Sequence, residues 1–208
     1  MKCLFLFKSF TMHTSQFEGT LRLNFPENVI SDKWLFEFCQ LNRELKIERN
    51  SAGEIIIVSP TGTETGGWNS EFNIELGIWN RKYKFGKTFD SSTGFKLPTG
   101  ATYGPDAAWM PHEKWNALST VQKRKFAPVV PDFIMELRSP NDRLESIQEK
   151  IAEFIECGCQ LAWLIDPILQ KTTVYQADGL EVEVPFDQIL NGGTVLPGFE
   201  VILTDLFK

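Results

Sequence analysis

Pro131-Asp132-Phe133-Ile134-Met135-Glu136-Leu137-Arg138-Ser139 is the stretch on which the reading of this chain turns. It is apolar enough for the interior of a sheet, yet it carries a carboxylate among its apolar residues. In an extended segment alternate side chains share a face. Asp132, Ile134 and Glu136 therefore point one way, and Phe133, Met135 and Leu137 the other. A carboxylate set among apolar neighbours is costly to bury unless it is paired or bound to a metal.

Immediately upstream, Gly104-Pro105-Asp106 opens the apolar run Ala107-Ala108-Trp109-Met110 within a strand expected over Tyr103–Pro111. One carboxylate on each of two neighbouring strands can fix Mg²⁺, which takes one or two carboxylates and leaves the rest of its shell to water and phosphate. Such an ion lowers the pKa of bound water and stabilises charge on a phosphoryl group under attack. A plainer reading stands beside this one. Pro-Asp is a common strand opening, and Glu136 can pair with Arg138 or Arg143.

Downstream, Ser139-Pro140 predicts a helix start, with serine as cap and proline in the first turn, where a missing N–H costs nothing. Leu144, Ile147, Ile151, Phe154 and Ile155 form its apolar stripe, and Gly158 ends it as a left-handed cap. Lys150 lies at the stripe's edge. Its stem can extend over the sheet or carry the ammonium out to water.

Farther out, Ser31-Asp32 predicts a helix bearing Trp34, Leu35, Phe38 and Leu41, and Leu45–Arg49 with Glu54–Val58 predicts a hairpin. Trp68, Phe72, Leu76, Trp79 and Tyr83 recur at helical spacing over Asn69–Lys84. Further strands are expected over Gly86–Leu97, Leu161–Asp166, Thr172–Gln176 and Leu180–Val184. Leu161–Asp166 is nearly all apolar, as a buried central strand should be. This order of helix, strands, helix and strand predicts an α/β (α+β) fold, a mixed sheet flanked by helices. Residues 1–30 are expected to be a weakly structured tail and residues 31–208 one domain.

With 208 residues, 42% hydrophobic and 23% charged, the chain has the balance of an ordinary globular domain. No apolar run approaches the ~18–20 residues of a membrane span. The apolar N-terminal core, Cys3–Phe7, falls short of the ~7–15 residues of an export signal, so a cytoplasmic location is expected. Cys3, Cys39, Cys157 and Cys159 lack zinc-site spacing and read as idle thiols. A net charge of −6 argues against avid, purely electrostatic binding to nucleic acid. It leaves room for a metal-dependent nuclease, since divalent ions offset repulsion between carboxylates and phosphate. His13 and His112 are not expected to be catalysts, and there is no Gly-rich phosphate loop.

Taken in order, Gly-Pro-Asp106, Pro-Asp132-Phe-Ile-Met-Glu136-Leu-Arg138-Ser-Pro-Asn-Asp142-Arg, Lys150-Ile-Ala-Glu-Phe-Ile-Glu-Cys-Gly158 and Trp163-Leu-Ile-Asp166-Pro167 resemble a family abundant in cyanobacteria. This is the "putative restriction endonuclease" family, a branch of the PD-(D/E)XK nuclease superfamily. The resemblance runs from about Ser31 to the C-terminus. It implies a restriction-endonuclease-like core and a Mg²⁺-dependent endonuclease acting on DNA, with Mn²⁺ as a substitute ion. Asp106 and Glu136 would be metal ligands, and Glu71, on the early helix, would complete the set. The superfamily's Glu-X-Lys is replaced by Glu136-Leu137-Arg138, and arginine cannot serve as a general base. Arg138 would then stabilise phosphate charge, and Lys150 would supply the family's lysine from the following helix. Exposed aromatics would supply a homodimer surface, so that two sites can serve two strands. Two other functions remain open: a non-catalytic binding or assembly module on a nuclease fold, and a hydrolase of another phosphoester.

Overall fold

The strand anticipated around Glu136 is β-structure buried along its whole length, and the rest of the chain is arranged about it. The structure, a computed structural model, describes residues 20–26 and 29–208. In chain order the first elements are β1 (Thr20–Leu23), α1 (Asp32–Leu41), β2 (Lys46–Arg49), β3 (Ile55–Val58), α2 (Thr63–Tyr83), β4 (Gly86–Asp90), β5 (Phe95–Lys96), β6 (Thr102–Tyr103) and β7 (Ala107–Pro111). There follow α3 (His112–Ala117), α4 (Thr120–Lys123), β8 (Phe133–Leu137), α5 (Leu144–Glu156), β9 (Leu161–Asp166), β10 (Lys171–Gln176), β11 (Glu181–Pro185), β12 (Ile189–Asn191), β13 (Glu200–Ile202) and α6 (Leu203–Leu206).

The main sheet has six strands in the order β11-β10-β9-β8-β7-β4. β8 and β9 are parallel, joined by the crossover helix α5, while the other pairings are antiparallel. The sheet is therefore mixed, as expected. Its two faces are both covered, which explains the unbroken apolar character of β8 and β9. On one face Phe133, Met135, Trp163 and Ile165 pack against Phe72, Leu76 and Trp79 of α2 and against Phe199. On the other, Ile134, Ala162 and Leu164 pack against Ile151 and Phe154 of α5. The aromatic contacts are dense: Trp163 meets Phe133 edge-on at 5.1 Å and stacks on Phe199 at 5.7 Å. Truncating one of these rings to alanine is expected to cost about 3–5 kcal/mol.

A second sheet, β1-β3-β2-β6-β5, carries α1 over Leu35, Ile47 and Ile55. Ser31 caps α1 by accepting from the Trp34 amide at 3.1 Å, a contact worth about 1 kcal/mol. The long strands expected over Gly86–Leu97 and Tyr103–Pro111 are each divided between the sheets. β4 and β7 belong to the main sheet, and β5 and β6 to the second. The chain passes from one sheet to the other at Ser91–Gly94 and at Gly104–Asp106, so Asp106 lies at a corner where the two sheets meet.

Three boundaries differ from expectation. The expected tail includes β1, whose Thr20-Leu-Arg-Leu segment pairs in register with Ile55–Val58 on the open edge of β3. Residues 1–19, with Cys3 and His13, lie outside the described residues. α2 begins at Thr63, six residues before Asn69; two low-propensity glycines, Gly66 and Gly67, hide its first turns in the sequence, which nonetheless pack the buried Thr65. α5 begins at Leu144, not at Ser139. Ser139 donates its amide to Asp142 Oδ2 and accepts from the Asp142 amide, so the Ser-Pro-Asn-Asp segment closes a turn before the helix can start. The other end is as read. Gly158 has φ +107°, and the Gly158 and Cys159 amides donate to the carbonyls of Ile155 and Phe154, a Schellman stop.

Candidate active site

The strand register brings the two key carboxylates together. Ala107 lies opposite Met135 in the β7–β8 ladder, so Asp106 falls level with Glu136 one step beyond it. The Leu137 amide donates to Asp106 Oδ2 at 3.0 Å, and Lys46 Nζ donates to Oδ1 at 3.1 Å. Both oxygens of Asp106 are thus tied down, one by β8 and the other by β2.

The second sheet supplies what the sequence reading missed. Lys46 and Glu48 alternate with Ile47 and Arg49 along β2. Ile47 faces α1, so Lys46 and Glu48 face the main sheet. Glu48 Oε1 accepts from the Gly104 amide at 2.9 Å and from Lys150 Nζ at 2.9 Å. Lys150 reaches in from α5 and also lies 2.8 Å from Glu136 Oε1. Its remaining contacts are the Gly104 carbonyl at 3.2 Å and the face of Tyr103, 5.6 Å away. One ammonium therefore joins two buried carboxylates from two different sheets. A charge alternating with apolar residues in a hairpin strand was the one available signal for Lys46 and Glu48. It is a weak signal, because exposed hairpins look the same.

The Lys150–Glu136 contact is short, yet Glu136 Oε1 has no hydrogen bond of acceptable geometry. The distance establishes the charge pairing, while the approach direction leaves the oxygen's lone pairs poorly used. Burial pushes the Glu136 carboxyl up; the Lys150 charge opposes this and Asp106 adds to it, leaving it at about 7. Asp106 is also raised by burial, but the charges of Lys46 and Lys150 and the Leu137 N–H outweigh that and hold it below the usual carboxylate range. For Lys150, burial favours the neutral amine, but Glu136 and Glu48 more than reverse it, so the ammonium is retained. Lys46 behaves likewise through Asp106.

All five groups line a cleft of about 730 Å³ between the sheets, closed on one side by Arg22, which donates to Ser146 at the start of α5. Among the described residues, no three His, Cys, Asp or Glu side chains stand ready as they are to hold a metal ion. Asp106, Glu48 and Glu136 each lean on a lysine. The donor chemistry nonetheless suits a hard cation. Asp106 and Glu136 stand level on neighbouring strands, and one of their oxygens, Glu136 Oε1, is buried without a hydrogen bond.

Of the residues expected from sequence, the structure brings together Asp106, Glu136 and Lys150. It does not bring Glu71 or Arg138 to them. Glu71 is exposed on α2 and does not line the cleft, because the face of the helix it occupies turns away from the sheet corner; Glu48 holds the third carboxylate position. Arg138 lies beyond the end of β8 and pairs with Asp166 at 2.7 Å. His112 begins the short helix α3, away from the cleft. Cys39, Cys157 and Cys159 are free thiols. Among the described residues, no helix is long and apolar enough to cross a membrane.

Comparison with known proteins agrees with this architecture. No curated protein matches the chain. A crystal structure described as that of a putative nuclease belonging to DUF820 from Anabaena variabilis ATCC 29413 superposes with a TM-score of 0.68 at 18% identity. The match covers 79% of this chain and 90% of that one, and it shows a shared fold. The model of the Uma2 family, "Putative restriction endonuclease", matches residues 35–205, a span that takes in Lys46, Glu48, Asp106, Glu136 and Lys150, and this chain therefore belongs to the Uma2 family.

Proposed function

We propose that this chain is a divalent-metal-dependent nuclease that hydrolyses DNA phosphodiester bonds in the cleft between its two sheets. The observation that carries the reading is the convergence of Asp106, Glu136 and Glu48 on two lysines at one buried corner that opens to a cavity. Asp106 and Glu136 would hold Mg²⁺ or Mn²⁺, which would supply a lowered pKa for the attacking water and Lewis-acid stabilisation of the phosphoryl oxygens. Lys150 keeps its proton, so it acts as a fixed cation beside the phosphate and not as a base. Lys46 is placed to do the same on the Asp106 side. Glu48 orients Lys150 and holds the Gly104 turn.

The test is nicking of supercoiled plasmid with Mg²⁺ or Mn²⁺, together with thermal unfolding with and without metal. Wild type should nick and gain thermal stability from the ion, and Asp106→Ala and Glu136→Ala should lose both. A double-strand cut by one such centre would need two copies, so linear product should depend on dimer formation measured by light scattering.

The lysine pairing itself favours one other reading. If the ion pairs are permanent, the domain is a non-catalytic binding or assembly module. In that case neither ion would shift the melting temperature, and Asp106→Ala would leave its binding unchanged.

A further inference from the structure

The two lysines at the corner between the sheets are held differently. Lys150 is enclosed, with a side chain 10% exposed, and its ammonium is shared between Glu48 at 2.9 Å and Glu136 at 2.8 Å. The Gly104 carbonyl and the Tyr103 ring add to its hold. Lys46 projects from β2 with 31% of its side chain exposed. Among the described residues its ammonium has one hydrogen-bond acceptor, Asp106 Oδ1 at 3.1 Å. We propose that Lys46 is an exchangeable counter-ion, which competes with a divalent cation for Asp106 and so sets the concentration at which that cation binds the cleft. The inference rests on the metal-ligand role that the nuclease reading gives to Asp106 and Glu136.

Charge balance singles out Lys46. Ionised, the carboxylates of Asp106, Glu136 and Glu48 together balance one divalent ion and one ammonium. Lys150 is the ammonium that stays. Moving it would strip Glu48 and Glu136 of their partner at once, and leaving a buried charge without its partner is strongly destabilising. Lys46 is then one cation too many, and like charges crowded at a partly buried site repel more strongly than they do in water.

The geometry lets Lys46 leave at little cost. Its departure uncovers Asp106 alone, whose charge the divalent ion takes over. Its exposed stem can carry the ammonium towards water while staying on the wall of the same cleft. Asp106 need not turn, because Oδ2 is fixed by the Leu137 amide at 3.0 Å, a bond to the backbone of β8 that is independent of Lys46. A lysine that merely held Asp106 in place would behave in the opposite way, since its loss would weaken metal binding or leave it unchanged.

Three substitutions separate charge from support. Lys46→Gln removes the charge and keeps a side-chain donor, Lys46→Met removes both, and Lys46→Arg keeps the charge. Titration calorimetry of the full chain with Mn²⁺ reads the affinity, at about pH 8, where Glu136, lifted to about 7 by burial, is mostly ionised. Circular dichroism checks the fold of each form. The expected result is Mn²⁺ bound at least about tenfold more tightly by Lys46→Gln and Lys46→Met, and as in wild type by Lys46→Arg. The inference is overturned if the neutral variants bind Mn²⁺ no more tightly than wild type, if Lys46→Arg tightens binding as much as they do, or if no form binds Mn²⁺. Plasmid nicking is read apart from affinity. Metal-dependent nicking by wild type, with an affinity indifferent to Lys46, keeps the nuclease reading and removes this inference. Tightened Mn²⁺ binding in the neutral variants, with no nicking by wild type, removes the nuclease reading and keeps the exchange at Asp106.

Discussion

Two ionic groups sit two residues apart along the end of β8, and they behave differently. Glu136 shares the Lys150 ammonium with Glu48, has an oxygen without a proper hydrogen bond, and faces a cleft of about 730 Å³. Asp166, opposite the strand's exit, is met by Arg138 at 2.7 Å and by the amides of Ile168 and Leu169 at 3.0 and 3.1 Å. Both oxygens of Asp166 in the second group have donors, although Arg138 Nε is buried without a partner, and the pair borders no cavity described above. It holds the turn after β9. The first has more acids than cations, with one carboxyl lifted to about 7 by burial. Buried charge is available for chemistry where partners are shared and space adjoins them. Where each oxygen has its own donor, buried charge serves the fold.

The largest expected effect follows from the first group. Asp106→Asn keeps the shape of the side chain but removes the charge that a cation and Lys46 both use. Metal-dependent plasmid nicking should fall at least about 10³-fold, while circular dichroism shows the fold retained. Nicking within tenfold of wild type would remove Asp106 from the chemistry.

The second group should give the opposite pattern. Arg138→Met leaves Asp166 charged, nearly inaccessible and without its guanidinium, and breaking a buried pair on one side costs about 3–5 kcal/mol. Urea denaturation should show that loss, and the double variant Arg138→Met, Asp166→Leu should recover much of it. Cleavage per folded molecule should stay near wild type. A large loss of cleavage with stability intact would restore Arg138 to the active site.

Glu136 separates the groups by pH. Its folded value of about 7 lies above its ordinary 4.5, so the folded chain holds an extra proton between the two. The stability this carboxyl contributes is complete below about 4.5 and is lost as pH rises through about 7, at no more than about 1.4 kcal/mol per pH unit. Metal binding runs the other way because it needs the carboxylate. Calorimetric Mn²⁺ affinity should rise about tenfold per pH unit up to about 7 and then level off. Glu136→Gln should abolish the stability slope. A flat affinity profile from pH 5.5 to 8 would show that Glu136 is not a ligand.

The same contrast explains what was legible in the sequence. β8, β9 and α5 are dictated by local pattern: continuous apolar runs, a stripe at helical spacing, a glycine stop. Asp106 and Glu136 stand out because a carboxylate in such a run has no bland place to go. The division of residues 86–111 between two sheets leaves no local trace, since each half reads as an ordinary strand. Glu48 and Lys46 were hidden for the same reason. Their meaning comes from contact with Gly104 and Lys150, 56 and 102 residues away from Glu48. Arg138 lies one residue past the end of β8, where strand alternation no longer guarantees that it shares the face of Glu136.

The smallest expected effect concerns the third acid. Sequence order points to Glu71 on the early helix, whereas the structure puts Glu48 in the cleft and leaves Glu71 exposed. Glu71→Ala removes a solvated charge, so both melting temperature and nicking should stay within about twofold or half a kcal/mol of wild type. Glu48→Gln removes one of the two charges that hold Lys150 and weakens its anchor at Gly104, so nicking should drop about tenfold or more. The released lysine should also become reactive to trinitrobenzenesulfonate, a change that mere loosening of the hairpin would not confine to one residue by mass spectrometry. If Glu71→Ala proved the more damaging of the two, α2 would have to turn toward the cleft when substrate binds, and the distinction between shared and satisfied charge would not suffice to find the site.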